Sequence, residues 1–212
     1  MLYLCKLKIQ ELKYSIMKKI VRLTLFVSVI CAMFTMSSCS YNSMVSAEEN
    51  TESAWSEVQN QYQRRMDLVP NLVNTVKGYA AHEKSTFEAV TEARTKASSI
   101  NLTVDDLTEE NLEKFQKAQD ELGSTLSRLM AVAEAYPDLK ANENFLDLQA
   151  QLEGTENRIT VARRNFNEAA QSYNTLIRKF PAIITAKIFG FKKKAYFQAA
   201  AGAETAPTVS FE

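Results

Sequence analysis

Arg64-Arg65-Met66-Asp67-Leu68-Val69-Pro70-Asn71-Leu72-Val73 is the stretch that decides how many helices this chain forms. Val69 precedes a proline, which biases its backbone out of the α region. Asp67 is a capping residue, and Pro70 suits a first helical turn, where a missing N–H matters least. The spacing therefore predicts one helix ending near Met66 and another opening at Pro70. On its near side, Met44, Ala47, Thr51, Trp55, Val58, Tyr62 and Met66 recur in steps of three and four. On its far side, Val69, Val73, Val76, Ala80, Phe87, Val90 and Ala97 do the same. Such stripes mark one face of an amphipathic helix, and neither alternates as a strand would. The competing reading is a single kinked rod over 44–100, about 85 Å long beside a third helix of about 40 Å. Most of that rod would have no partner for its apolar stripe, so the break is preferred.

Outward from there, a third stripe runs Leu112, Phe115, Leu122, Leu126, Leu129 and Ala133. The fourth runs Phe145, Leu148, Leu152, Ile159, Ala162, Phe166, Ala169, Tyr173, Leu176 and Phe180. Asn101 to Asp106 reads as a loop, Thr108 followed by Asn111 opens the third helix, and Tyr136-Pro137-Asp138 closes it. Short connections make sequential helices antiparallel neighbours. The expectation is an all-α, antiparallel up-and-down four-helix bundle of long helices with coiled-coil character, near 44–66, 70–100, 108–135 and 138–180. Trp55, Tyr62, Val76, Phe87, Leu122, Leu129, Ile159, Phe166 and Tyr173 are the expected core.

Composition agrees. The 212 residues include only 5 glycines and 4 prolines, too few for an all-β chain, and 46% are hydrophobic, enough for one real core. Cysteines stand at 5, 31 and 39 alone, so no disulfide or thiolate metal site can form beyond Cys39. Residues 1–38 read as an export signal, whose effective start could be Met17: Met17-Lys18-Lys19 precedes a run, Leu23 to Met36, without a charge. Met36-Ser37-Ser38-Cys39 resembles a bacterial lipobox, in which the cysteine is acylated and becomes the new N-terminus. The alternative is an uncleaved anchor helix from about Ile20 to Cys39, which the short charge-free run disfavours. Residues 39–50 then form a lipidated tether. Ser40 stands where Asp would retain a lipoprotein on the inner membrane, which favours the outer membrane, facing the periplasm. Removing 1–38 takes away six basic residues and one acidic, leaving 19 against 24. A net negative chain argues against nucleic acid as a partner.

Ala54-Trp55, Arg64 to Val73, Val76-Lys77-Gly78-Tyr79, His82-Glu83 and Ala93-Arg94 resemble the first half of the LemA family. Asn157-Arg158-Ile159, Ala162 to Asn167, Tyr173-Asn174, Phe180-Pro181, Phe189-Gly190-Phe191 and Tyr196-Phe197 resemble its second half. The resemblance covers nearly everything from Tyr41 to Gln198 and implies a membrane-attached helical bundle of the envelope, spanning 44–198 with a C-terminal closing segment. Many family members carry an N-terminal membrane helix, whereas here the apolar run ends in Cys39. The resemblance implies no established reaction.

Candidate chemistry is sparse. His82 is the only histidine, and with no second imidazole or later thiol it reads as a surface residue, not a zinc ligand. No phosphate loop, Gly-x-Ser-x-Gly or paired cysteines occur, so neither catalytic residues, cofactor nor metal is expected. Arg65, Glu83, Glu156 and Arg163 stand at or beside apolar positions of the stripes, with Asn71, Asn157 and Asn167 nearby. They read as a structural polar layer paired across helices, the alternative being a polar groove for a ligand or a partner's tail. Between Ile183 and Phe197, Lys187, Phe191, Lys192, Lys193 and Lys194 accompany Ile184, Ile188, Phe189, Tyr196 and Phe197. This reads as a closing segment capping the bundle with its lysines in water, the alternative being a basic-aromatic contact with membrane or partner. Residues 199–212 read as disordered. The functional expectation is a non-enzymatic, lipid-anchored scaffold or regulator of a membrane protein assembly, with an envelope protein as partner. The alternative is a small-ligand sensor.

Overall fold

The computed structural model describes the backbone of residues 2–198 and the side chains of residues 17–26, 28 and 40–198. Six α-helices and one 3-10 turn account for the ordered elements among them, with no strand. They are α1 (Leu2–Lys77), α2 (Lys84–Ser99), the 3-10 turn Val104–Asp106, α3 (Glu109–Glu134), α4 (Pro137–Lys140), α5 (Glu143–Leu176) and α6 (Ala182–Phe189). The chain is all-α, as its stripes require. No helix among the described residues is long and apolar enough to cross a membrane. The side chains of Cys39 and of most of the signal segment, and the whole tail from 199, lie outside what is described, and so do the expectations placed on them.

The break expected between Met66 and Pro70 does not occur: α1 passes through Pro70 and ends at Lys77. A proline inside a helix frees the carbonyl four residues before it, here that of Met66. Arg94 fills the vacancy, its Nε donating to Met66 O at 3.0 Å. Leu68, Val69, Leu72 and Val76 are buried in sequence after Met66, so the apolar face continues unbroken across the proline. The turn falls instead at Gly78 to Glu83, where the amides of Tyr79 and Ala80 both bond Val76 O. The first expected helix is thus longer than its sequence signals suggest, and the second is shorter.

Downstream the boundaries lie close to expectation. Thr108 caps α3 by accepting from the Asn111 amide at 3.3 Å, and Asn142 caps α5 by accepting from the Phe145 amide at 3.0 Å. Pro137 opens the single turn of α4. The fourth expected helix begins later than 138 and stops at Leu176, so Phe180 leaves the stripe and is exposed. Residues 40–50, expected as a tether, belong to α1. They hold neither glycine nor proline, and Met44 among them is fully buried.

The described chain divides into two compact units. One comprises α1 as far as Ser46 with Leu176–Phe191, and the other Ala47–Thr175 with the segment from Lys192. The larger unit holds two apolar clusters. In one, Met66, Val69, Leu72 and Val76 of α1 meet Phe87, Val90, Ala93 and Ala97 of α2, with Leu122 to Ala133 of α3 and Phe145 and Leu152 of α5. In the other, Trp55, Val58 and Tyr62 of α1 meet Phe115 of α3 and Ile159, Ala162, Phe166 and Ala170 of α5. No α2 residue contributes there. Its wall is made by Leu102 and Leu107 of the loop and by Ala195 and Phe197 of the C-terminal segment. All nine expected core residues are buried.

Candidate functional site

Arg65 is the first polar intruder. Its side chain is 4% exposed, and its Nη1 lies 2.8 Å from Glu156 Oε1. Its Nη2 donates to Gln119 Oε1 at 2.6 Å and to Gln119 O at 3.0 Å, and the guanidinium lies over the Tyr62 ring at 5.0 Å. A buried arginine needs such company, because a lone charge out of water is costly. Burial raises the Tyr62 phenol pKa above its ordinary value, an effect the Arg163 and Arg65 charges reduce. Two buried donors, Arg65 Nε and Gln119 Nε2, make no hydrogen bond. Beside Gln119 lies a cavity of about 230 Å³ lined by Gln59, Tyr62, Gln63, Asn101 and Phe115 among others.

Of Arg65, Asn71, Glu83, Glu156 and Arg163, expected in a polar layer or groove, only Arg65 and Glu156 meet. Asn71 is exposed on α1. Glu83 is half-buried before α2, where its carbonyl accepts from Thr86 and Phe87. Arg163 turns elsewhere, lying over the Phe197 ring at 4.6 Å and donating to Gln198 O at 3.2 Å. Gln119, the third member of the layer, is invisible to a reading of charge, but it stands on the stripe itself, filling the seven-residue gap between Phe115 and Leu122 with a polar side chain.

The second polar feature is a clamp on the C-terminal segment. Asn174 Nδ2 donates to Lys194 O at 2.8 Å while its Oδ1 accepts from the Lys194 amide at 2.9 Å. Asn167 repeats the pattern on Phe197, donating to its carbonyl at 3.0 Å and accepting from its amide at 2.9 Å. Each carboxamide thus pairs with extended backbone as a neighbouring strand would. The spacing fits: seven helical residues rise about 10.5 Å and three extended residues cover about 10 Å. On the opposite side the Ala195 amide bonds Leu107 O at 3.0 Å. Phe197 then reaches the aromatic cluster, 6.0 Å from Trp55 and 5.6 Å from Phe166 between ring centroids.

Lys194 is accordingly not a surface lysine. It is 5% exposed, 3.0 Å from Glu48 and 3.4 Å from Asp105. It also lies 5.7 Å from the Tyr173 ring centroid. Burial of the Tyr173 phenol, seconded by the Glu48 carboxylate, drives its pKa far upward and keeps it protonated. Lys193 is exposed, 3.8 Å from Glu109. Lys187 and Lys192 are exposed, and Phe191 is half-buried. Ala195 and Phe197 are buried as a closing segment requires, whereas Lys194, expected in water, is buried with them, and Ile184, Ile188 and Phe189, expected to cap the bundle, are exposed. His82 is exposed too, and no group of three or more His, Cys, Asp or Glu side chains among the described residues could hold a metal.

Fold and site together define an all-helical protein whose buried polar groups hold its own backbone and one another in place. A family model described as LemA family matches residues 54–211, and the chain belongs to that family. Magnetosome protein MamQ 2 of Paramagnetospirillum magneticum is 31% identical over 175 residues, covering 74% of this chain and 64% of the relative. The chain thus spans less than two thirds of that relative's length. Magnetosome protein MamQ of Magnetospirillum gryphiswaldense is 30% identical over 196 residues, or 84% and 72% of the two chains. Protein LemA of Metamycoplasma hominis is 27% identical over 158 residues, or 74% and 68%.

Proposed function

We propose that this chain is a non-enzymatic, lipid-anchored module of the cell envelope that scaffolds or regulates a membrane protein assembly. In this reading α1, α2, α3 and α5 act as an up-and-down four-helix bundle. The observation that carries the non-enzymatic part is the fate of the buried charges. Arg65 and Lys194 each face carboxylates of the same unit at ion-pair distance, so neither is poised to act on a substrate. Catalytic groups are usually perturbed residues gathered in a cleft, and here the buried phenols are only pushed further from ionising. Membrane attachment is supported by the lipobox-like Met36 to Cys39, while Ile20, Val21, Leu23, Leu25 and Phe26, all exposed along α1, belong to the segment that cleavage would remove and suit an export signal. Ser40 after Cys39 supports the outer membrane, facing the periplasm. Crosslinking in intact cells at native abundance tests the assembly role: a reproducible protein partner is expected, and none would sink it. Cys39→Ala should abolish fatty-acid labelling; an equally labelled variant would restore the uncleaved-anchor alternative.

A second reading, a sensor of a small ligand, has one observation in its favour. Gln119 Nε2 is a buried donor without a partner, at the wall of the cavity that Gln59, Gln63 and Asn101 also line. Thermal shift against envelope metabolites decides it, with no stabilisation by any of them counting against a ligand.

A further inference from the structure

α6 is built inside out. Ala182, Thr185 and Ala186 are its buried residues. Ile184 is 53% exposed, Ile188 72% and Phe189 61%, and Phe180 just before the helix is 83% exposed. At the helical period Ile184, Lys187 and Ile188 share one face. A helix packed on a water-soluble protein places its large branched side chains inward and its small ones outward. The reversal here leaves four large apolar side chains more than half exposed.

The charge around them says what covers them. Between Leu176 and Phe191 stand Arg178, Lys179 and Lys187 and no acidic residue, in a chain whose exported part carries an excess of acid. Large apolar groups interleaved with cations only, on a short helix, fit a surface with an apolar interior and an anionic rim. Position agrees. Within the same unit, the Tyr41 ring lies 4.7 Å from Phe189 and 5.8 Å from Phe191, which ties α6 to the part of α1 two residues beyond Cys39. Gly190 makes this possible: at φ +79° it ends α6 in the left-handed region, and the Phe191 amide closes onto Ala186 O at 3.0 Å.

We propose that α6 is an interfacial helix that lays Phe180, Ile184, Ile188 and Phe189 into the headgroup–acyl boundary of an anionic bilayer, with Lys179 and Lys187 reaching its headgroups. This rests on the membrane attachment proposed above and adds a second contact beside the anchor. At about 12 Å the helix is far too short to span, so it lies in one leaflet. Each cation near an anionic surface strengthens the contact by about fivefold.

The test uses the full-length chain purified from membranes, carrying Ile188→Trp, in vesicles of phosphatidylcholine with about a third phosphatidylglycerol. Trp55 is buried in the larger unit and supplies a constant background. The introduced indole should be quenched by brominated acyl chains in the anionic vesicles. That quenching should fall by about half or more in phosphatidylcholine alone, or when Lys179→Gln and Lys187→Gln are added. An indole that stays open to aqueous iodide and untouched by bromolipid overturns the proposal. So does one shielded from iodide but unquenched by lipid, which would place a protein on this face. Equal quenching in both vesicle types also overturns it, because the lysines would then do nothing. Flotation of the same samples separates the two readings: a chain that floats with an unquenched indole sinks α6 alone, and one that fails to float sinks the attachment on which α6 rests.

Discussion

Lys187 and Lys194 stand seven residues apart, each amid alanine and aromatic neighbours, and they end in opposite surroundings. Around Lys187 the isoleucines face outward and the small residues inward; around Lys194 the lysine itself is buried and the chain is extended. The difference is made by what each backbone is offered. α6 closes its own hydrogen bonds, so nothing requires its large side chains to enter a core. Lys194 to Phe197 has no internal hydrogen bonds and would bury bare amides, were it not for Asn174, Asn167 and Leu107 O on either side. Sidedness in an apolar-basic segment follows from backbone pairing as much as from composition.

The contrast can be broken most severely from beneath. Phe166 is fully buried and lies against both Trp55 and Phe197. Phe166→Ala should cost about 3–5 kcal/mol in denaturant unfolding, because cavity and lost transfer energy add. Asn174→Ala should cost about 2–3 kcal/mol, as it leaves the Lys194 amide and carbonyl buried without partners. Its signature is local: hydrogen exchange at Lys194 should accelerate far more than at the middle of α3. Pro70 and Arg94 supply a sharper, smaller test. Arg94→Ala should cost about 1–2 kcal/mol, and less in a Pro70→Ala background, where Met66 O regains a helical donor. Additive single costs would dissolve the link between them. The smallest effect should be at α6, where Ile188→Ala changes stability by about 0.5 kcal/mol or less. A cost like that of a core residue would mean that Ile188 is covered within the protein after all.

Helix content, the aromatic core and the family were legible because they rest on period and on residues that leave little choice, such as Trp55 and Phe166. The break at Pro70 was misplaced because local rules treat the freed carbonyl of Met66 as unsatisfied, while the donor that satisfies it lies 28 residues on. Arg94 carries no mark of that role in its own neighbourhood. The polar layer was half legible: Arg65 and Glu156 announced themselves by charge at apolar positions, whereas Gln119 did not. The closing segment was read as one element because its composition is uniform. The two asparagines that divide it lie on α5, and Asn167 was noticed only as a polar residue near a stripe.

Pro70 has a consequence for the order in which the chain takes shape. A polypeptide is synthesised from its N-terminal end, so Met66 O emerges before Arg94 does. Until α2 follows, that carbonyl has only water to satisfy it. The continuity of α1 across Pro70 is thus supported by a donor that only α2 can bring.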